Sequence, residues 1–356
     1  MSPSLHEPLP LRGVTFRNRI GVSPMCEYSS VDGFANDWHL VHLGSRAVGG
    51  AGLVLTEATA VTEDGRISPH DLGIYRDAHV EMLSRIASFV SAQGAVPGMQ
   101  LSHAGRKAST DAPWLGGRPL IPAEGGWRPI VAPSAIAFSD RSPLPEALDR
   151  DGIQCVTDAF RVAAARALEA GMKVIELHGA HGYLLHEFLS PLSNCRTDDY
   201  GGSFENRIRL LVEVTRAVRE VWPDSLPLLV RLSGTDWVPD GWDLDQSIEL
   251  ARVLVPLDVD LIDCSSGGIV PGVKIPVGPG YQVDIAERIR RDGGIATAAV
   301  GLITGAEQAD AIVRAGQADM VFLARQLLRD PYWPLHSAKA LGASVTWPVQ
   351  YQRAVD

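Results

Sequence analysis

The sequence is poor in cysteine, in net positive charge and in long apolar runs. Its four cysteines lie far apart along 356 residues, a spacing that matches neither a disulfide framework nor a C-x-x-C pair and predicts reduced thiols. The 32 Lys and Arg face 42 Asp and Glu, giving a net charge of −10, so no nucleic-acid partner is expected. No stretch approaches the roughly 18 apolar residues of a membrane helix, and no basic segment followed by an apolar one opens the sequence. These absences predict a cytoplasmic protein that has no membrane partner.

A repeated strand and helix pattern is what the sequence does contain. Hydrophobic residues make up 46% of the chain and charged residues 21%, which is enough to build a large core. Short β-branched runs recur, each followed by a segment of 3.6-residue periodicity, as in parallel strands connected by helices. The expected strands are 19–24, 52–59, 97–103, 173–178, 227–233, 260–264, 296–300 and 320–324. Eight such units predict an α/β fold, a single-domain (β/α)8 TIM barrel that includes residues 1–356.

Two segments fall outside this repeat. Residues 104–148 contain seven prolines, five glycines and two tryptophans, and they are expected to form an ordered flap, a long loop after the third strand. Residues 342–356 follow the last expected barrel helix, which should end near Leu341, and form a C-terminal tail. Between these segments, Ser203 is expected to cap the helix beyond Phe204.

Polar residues at the expected strand ends mark the candidate site, because TIM barrels carry their active groups there. Arg231 lies within an apolar run, where a guanidinium is costly unless an anionic or acceptor-rich partner meets it. That partner could be a protein carboxylate or a ligand. At strands seven and eight, Gly301, a helix start at Thr304 with Glu307 at capping-box spacing, and the pair Ala324-Arg325 together indicate a phosphate site.

The densest cluster follows the fourth strand and contains His178, His181 and Tyr183. Two N–H donors aimed at one oxygen would form an oxyanion site, and a nearby phenol could deliver a proton. Histidines also bind zinc, although the sequence shows no clear third ligand and no H-E-x-x-H helix. A metal-dependent barrel lyase therefore remains an alternative at this point.

At this cluster the sequence resembles the old yellow enzyme family of FMN-dependent NAD(P)H ene-reductases, over nearly the whole chain. The most specific stretch is residues 178–207, HGAHGYLLHEFLSPLSNCRTDDYGGSFENR. The opening RNRI at 17–20 and SPMCEY at 23–28 resemble the thermophilic-like or xenobiotic-reductase-like class. In that class, cysteine stands near flavin N5 and histidine takes the second substrate-binding position, which matches Cys26 and His181.

The resemblance implies bound FMN, reduced by NADPH or NADH. His178 and His181 would bind a carbonyl or nitro oxygen of a small-molecule substrate, Tyr183 would donate a proton, and Cys26 would be a further catalytic residue. Tyr28 would line the substrate pocket. The phosphate would be held near Gly301, Ala324 and Arg325, and the flavin ring would be lined by Ser23, Pro24, Met25, Cys26, Ala58, Gln100 and Arg231.

The function implied is reduction of activated C=C bonds in α,β-unsaturated carbonyl compounds, with quinones and nitro compounds as additional acceptors. An FMN-binding redox protein without a dedicated enone substrate is the second reading of the same fold. Residues 348–353 resemble a tail that reaches into a neighbouring subunit's site. This implies a homodimer or homotetramer in which Arg353 acts across the interface.

Overall fold

The computed structural model describes residues 3–355 and contains a closed barrel of eight parallel strands. Around the barrel the strand order is β3-β4-β5-β8-β9-β10-β11-β12, and β12 pairs with β3 to close it. Each barrel strand overlaps a predicted one, so the predicted (β/α)8 fold is confirmed. In chain order the strands are β1 (Leu9–Leu11), β2 (Val14–Phe16), β3 (Ile20–Val22), β4 (Leu53–Ala60), β5 (Val96–Ser102), β6 (Val131–Ala132), β7 (Glu146–Ala147), β8 (Val174–Gly179), β9 (Leu228–Ser233), β10 (Leu261–Ser265), β11 (Ala296–Ala299) and β12 (Met320–Leu323).

Helices cover the outside of the barrel, and the longer ones each bury one apolar stripe. In the longest, Ile153, Phe160 and Ala167 are fully buried, and the Asp149 carboxylate caps the first turn by accepting from the Gly152 N–H. None of the helices described between residues 3 and 355 is long and apolar enough to cross a membrane. The helices are α1 (Asp37–Val48), α2 (Val80–Ala92), α3 (Arg150–Glu169), α4 (Leu184–Leu189), α5 (Phe204–Arg207), α6 (Arg209–Arg219), α7 (Leu244–Leu254), α8 (Val283–Gly293), α9 (Ala306–Arg314), α10 (Arg325–Arg329) and α11 (Trp333–Ala340).

An N-terminal hairpin closes the lower end of the barrel. Strands β1 and β2 pair in antiparallel fashion, and Phe16 at the end of β2 is fully buried against apolar side chains of the barrel interior. Because this end is plugged by hydrophobic residues, polar ligands can approach only from the opposite mouth, where the strands end.

The barrel interior changes from apolar to polar along the strands. Alternate residues of a strand point to the same side, so successive inward positions form successive layers. On β8, β9 and β10 the lowest of these layers contains Val174, Leu229 and Leu261, the next contains Glu176, Arg231 and Asp263, and the layer at the mouth contains His178, Ser233 and Ser265.

The segment 104–148 forms a folded excursion over the mouth. Strands β6 and β7 pair within it, Ile130 is buried, and the Trp127 indole N–H donates to the Asp64 carbonyl (2.9 Å). The guanidinium of Arg66 lies 5.1 Å from the Trp127 ring centroid. These contacts attach the flap, residues 104–148, to the loop that follows β4.

Candidate active site

The predicted residues on β3, β4, β5, β8 and β9 meet at one mouth of the barrel. The backbone N–H of Ser23 donates to the Leu323 carbonyl of β12 (3.0 Å), and the half-buried Pro24, Met25 and Cys26 continue from it. Ala58 is paired with Gln100, and His178 with Arg231, in the strand register. The Ser23 hydroxyl is buried without a hydrogen-bond partner, so it is available to a ligand at this mouth.

His178 and His181 lie together as neutral imidazoles. Their ring centroids are 5.1 Å apart and the ring planes meet at 86°. Burial, followed by the nearby charge of Arg231, lowers the pKa of both rings well below the usual histidine value. Nδ1 of His178 is buried with no partner, whereas Nε2 of His181 lies 2.6 Å from the Ser265 hydroxyl oxygen. When Ser265 donates to Nε2, the ring proton stays on Nδ1, and His181 also has a free N–H donor.

A close backbone crossing fixes the position of His181. His181 has φ of 60° and Gly182 has φ of 72°, both in the left-handed region. A Cβ on Gly182 would lie 2.2 Å from the Gly268 carbonyl oxygen, so only glycine fits there. The His181 N–H donates to the Ser233 hydroxyl (2.9 Å), and the Lys107 ammonium donates to the His181 carbonyl (2.8 Å). The second imidazole is therefore held by contacts from the end of β9, from the flap and from the loop after β10.

Tyr183, Cys26 and Tyr28 share an apolar cluster above the imidazoles. The Tyr183 ring lies 5.0 Å from the His178 ring at 75°, and the cluster also includes Ile67 and Ile130. Burial raises the pKa of Tyr183 well above its usual value. Burial, followed by nearby carboxylates, likewise raises the pKa of the Cys26 thiol. Both groups therefore keep their protons at neutral pH.

A cavity of about 500 Å³, the flap cavity, lies between these tyrosines and the flap. Lys107 lines it, and its ammonium nitrogen is 5.1 Å from the Tyr183 ring centroid and 4.7 Å from that of Phe138. Burial lowers the pKa of Lys107 to about 8. The sequence analysis missed this lysine. It follows β5 closely enough for the strand-end criterion to have included it, but its contact with Phe138 depends on how the flap folds.

A second cavity, of about 220 Å³, lies where the phosphate site was predicted. Gly301, Ala324 and Arg325 line it, together with Ser265, which lies at the end of the sixth expected strand, and with three residues that the sequence analysis missed: Tyr281, Gln282 and Arg329. Gly301 has φ of 118°, and a Cβ there would lie 2.9 Å from both the Gln282 amide nitrogen and the Tyr281 ring. The Gln282 amide donates to the Val300 carbonyl (3.0 Å) and thereby fixes this wall.

The predicted helix start at Thr304 is wrong. Gly305 is the N-cap of α9, which begins at Ala306, and no side chain caps this helix. The Thr304 backbone N–H instead donates to the Gln308 side-chain oxygen (3.1 Å). The Gly305 backbone is extended, with φ of −92° and ψ of 145°, as an N-cap requires. The helix therefore starts later than the Thr304 and Glu307 spacing predicted.

A buried polar layer, defined as Gln100, Glu176, Arg231 and Asp263, lies directly below the imidazoles. The Gln100 amide donates to Glu176 Oε1 (2.7 Å), and Arg231 Nε lies 2.9 Å from Asp263 Oδ2. The carboxylate alternative raised for Arg231 is thus realised by Asp263, while Arg231 also lines the phosphate-side cavity. Glu176 and Asp263 were missed, although each is an ionisable residue within an apolar strand.

Arg353 lies apart from both cavities in the single chain. It is exposed on a 3₁₀ turn, Val349–Ala354, and the nearby Tyr351 ring packs against Tyr332 at a centroid distance of 6.0 Å. Its predicted action across a subunit interface remains a prediction. Within residues 3–355, no three His, Cys, Asp or Glu side chains are grouped as metal ligands would be.

Comparison with known proteins identifies relatives along the whole chain. Residues 4–342 match the NADH:flavin oxidoreductase / NADH oxidase family. The chain is 50% identical over 355 residues to an NADPH dehydrogenase of Geobacillus sp. (strain WCH70), covering 99% of each protein. Among solved structures it is similar to morphinone reductase, with a TM-score of 0.80, 27% identity and coverage of 98% of this chain and 92% of that one. An old yellow enzyme homologue from Zymomonas mobilis gives a TM-score of 0.77 at 28% identity, covering 98% of this chain and 95% of that one.

Proposed function

We propose that the protein reduces activated C=C bonds of α,β-unsaturated carbonyl compounds. The proposal starts from its family: the chain belongs to the NADH:flavin oxidoreductase / NADH oxidase family and is an FMN-dependent NADPH oxidoreductase of the old yellow enzyme type. Quinones and nitro compounds are proposed as further acceptors. The observation that carries the proposal is the neutral pair His178 and His181 beside Tyr183, which lines the flap cavity.

The residues at the barrel mouth fit FMN. The unpartnered Ser23 hydroxyl and the Gln100 amide can face the polar edge of a flavin ring. Arg231 places a positive charge in a buried position, where it would stabilise the negative charge that reduced flavin carries near N1. On the phosphate side, Arg325 and Arg329 add two guanidinium groups to the smaller cavity, and guanidinium groups suit phosphate oxygens. When bound, FMN accepts a hydride from the nicotinamide and passes it to the acceptor.

The imidazole pair would bind the oxygen of the acceptor. Reduction of an enone at its β-carbon moves negative charge onto the carbonyl oxygen, so donors at that oxygen bind more strongly in the transition state than in the ground state. The His178 ring has no hydrogen bond within residues 3–355 to give up, and when Ser265 donates to Nε2 of His181, the Nδ1 proton of that ring is available. Because both rings are neutral, each supplies a directed N–H without introducing a charged group that must be desolvated.

Tyr183 would supply the proton for the α-carbon. Its pKa is raised by burial, so the phenol is protonated throughout the neutral range. Loss of that proton would leave a tyrosinate in an apolar cluster, which is costly. The Lys107 ammonium, 5.1 Å from the ring centroid, would lower this cost by placing a positive charge nearby. Lys107 therefore acts as a positioning residue that also assists proton donation.

The experiment that tests the proposal compares enones and quinones in Tyr183→Phe. Enones need a proton on carbon and quinones do not, so the variant should lose kcat with 2-cyclohexenone and retain most of it with a quinone. Tyr200→Phe is the matched control, because the Tyr200 hydroxyl donates to Glu213 (3.0 Å) away from the cavity. Equal losses with both acceptors in Tyr183→Phe would contradict the proposed proton donor.

We further propose that Arg353 completes the flap cavity, the proposed acceptor site, of a neighbouring subunit. The exposed Tyr351 and Val349 beside it offer apolar surface for an interface. A guanidinium arriving there would favour electron-rich oxygens of the substrate. The enzyme would then be active as a homodimer or homotetramer.

A further inference from the structure

The polar layer below the flavin-facing residues contains more negative than positive groups. Glu176 and Asp263 are fully buried, and Arg231 is only 6% exposed. With both carboxyls ionised the layer would carry one uncompensated negative charge, and with one of them protonated it would be neutral. Burial of an unpaired carboxylate is strongly unfavourable, so the neutral arrangement is the stable one.

The layer also contains more hydrogen-bond acceptors than donors. Glu176 Oε2, Asp263 Oδ1 and Asp263 Oδ2 are buried without hydrogen bonds, although Arg231 Nε lies 2.9 Å from Asp263 Oδ2 as an ion pair. Glu176 Oε2 and Asp263 Oδ1 thus have no donor, while Asp263 Oδ2 has only the Arg231 ion pair. A proton on one carboxyl group converts one of these oxygens into a donor, which the layer otherwise lacks.

We propose that the carboxyl pair of Glu176 and Asp263 is a proton store that takes up one additional proton when FMN is reduced and releases it when FMN is reoxidised. The proposal rests on the proposed contact of Arg231 with the flavin, and it does not depend on the identity of the acceptor. Negative charge that arises near flavin N1 would draw on the same guanidinium that compensates Asp263. The layer would then hold one negative charge too many, and a proton from water would restore the balance.

Within the layer, Glu176 and Asp263 are the groups that can change charge. Lys107, whose pKa burial lowers to about 8, lies beyond the imidazoles at the His181 carbonyl. Burial, followed by the Asp263 charge, raises the pKa of Glu176, and burial raises that of Asp263, against the lowering effect of Arg231 on each. Above the layer His178 and His181 are neutral. Cys264, which follows Asp263 on β10, is buried and its raised pKa keeps it a thiol. The inward positions below are apolar: Val174, Leu229, Leu261, Ala298 and Met320.

The proton balance of the step is explicit. NADPH transfers a hydride to FMN, which yields NADP⁺ and anionic reduced FMN, and this reaction by itself takes no proton from water. The store adds the reaction of one carboxylate and one proton to give one carboxylic acid. Net uptake is therefore about one proton for each NADPH oxidised, and the same proton is released on reoxidation.

The first measurement uses the wild-type holoenzyme. It is reduced anaerobically with one equivalent of NADPH in weakly buffered solution near neutral pH, with no acceptor present, and a pH-indicator dye counts the protons taken up. The reduced-minus-oxidised infrared spectrum should also gain a carboxylic acid C=O band that shifts in D2O. Zero uptake without that band would overturn the proposal, while leaving the proposed enone chemistry untouched.

The second measurement uses Glu176→Gln and Asp263→Asn, which keep the shape of each side chain. In both variants uptake should fall towards zero, and the midpoint potential of bound FMN should lose part of its pH dependence. One proton per two electrons is a tenfold change in the equilibrium constant per pH unit, or about 30 mV, and the wild type should show about twice the slope of the variants.

Asp236→Asn is the matched control, since Asp236 is also fully buried but pairs with His186 (3.0 Å) outside the layer. This variant should take up protons as the wild type does. If uptake persists in Glu176→Gln and Asp263→Asn, the proton goes to the flavin or to Lys107 rather than to the carboxyl pair, and the proposal is wrong. Loss of uptake in Asp236→Asn as well would make the effect a general consequence of removing a buried carboxylate and would also overturn it.

Discussion

Replacement of His178 by alanine tests the oxyanion site at its better-defined donor. The His178 ring makes no hydrogen bond to the part of the chain that the structure describes, so a hydrogen bond from this ring to a substrate oxygen would not compete with another one. Loss of one donor of this kind costs about 2 to 4 kcal/mol of transition-state stabilisation. Since each 1.36 kcal/mol is a factor of ten in rate, kcat/KM with 2-cyclohexenone should fall roughly 30- to 900-fold. FMN content should remain at the wild-type level.

The assay is steady-state enone reduction across pH, together with flavin absorbance per chain. Burial lowers the pKa of His178 and His181 well below 6.5, so both rings stay neutral as pH falls through 6.5, and wild-type kcat/KM should show no histidine-dependent loss there. His178→Asn, which keeps a donor, should recover part of the activity, and His336→Ala, on the exposed side of α11, should match wild type. A fall in kcat/KM of less than threefold in His178→Ala, or a wild-type loss with a midpoint near pH 6.5, would refute the neutral-donor account.

Three further predictions concern the flavin, the backbone and the tail. Arg231→Met should retain less FMN per chain or reduce it more slowly with NADPH, because the charge beside the ring is removed; unchanged retention and reduction rate would contradict its assignment. Gly182→Ala should lower the free energy of unfolding in urea by more than the roughly 1 to 2 kcal/mol of left-handed backbone strain, because the new Cβ would meet the Gly268 carbonyl. Gly202 has φ of 80° and open space around it, so Gly202→Ala should lower that free energy by the backbone strain alone. Equal losses in the two variants would exclude the clash. Arg353→Ala and deletion of residues 347–356 should raise KM for enones more than they change FMN content, and a fully active monomer after the deletion would rule out a shared site.

The barrel could be predicted from sequence because its signal is local. Each strand is a short apolar run, and each helix carries its own apolar stripe, so the eight-unit repeat is visible without tertiary information. The start of α5 was also predicted from a local signal: the Ser203 hydroxyl accepts from the Asn206 N–H, as expected for an N-cap. The helix start predicted at Thr304 was wrong because Gly305, which can also occupy an N-cap, takes that position. The spacing of Thr304 and Glu307 alone does not decide between two neighbouring N-cap residues.

The supporting residues of the site were missed for a different reason. Arg231 was recognised as an ionisable group in an apolar strand, and the same criterion applied to Glu176 and Asp263 would have predicted the polar layer. Lys107 and Gln282 could not be assigned in this way. Their positions depend on long-range contacts, one with the flap residue Phe138 and one with the Val300 carbonyl, which no local pattern specifies.

A single-turnover reaction with isotopically labelled reductant tests the central claim most directly. The holoenzyme is reduced anaerobically with one equivalent of NADPH deuterated at the transferred position and is mixed at once with 2-cyclohexenone, before the N5 deuterium of reduced flavin can exchange with water. The account predicts that the flavin absorbance returns as cyclohexanone forms, with the deuterium on the β-carbon and a solvent proton on the α-carbon. If the flavin stays reduced until oxygen is admitted, or if the product lacks deuterium at the β-carbon, the enzyme does not reduce activated C=C bonds by the proposed route.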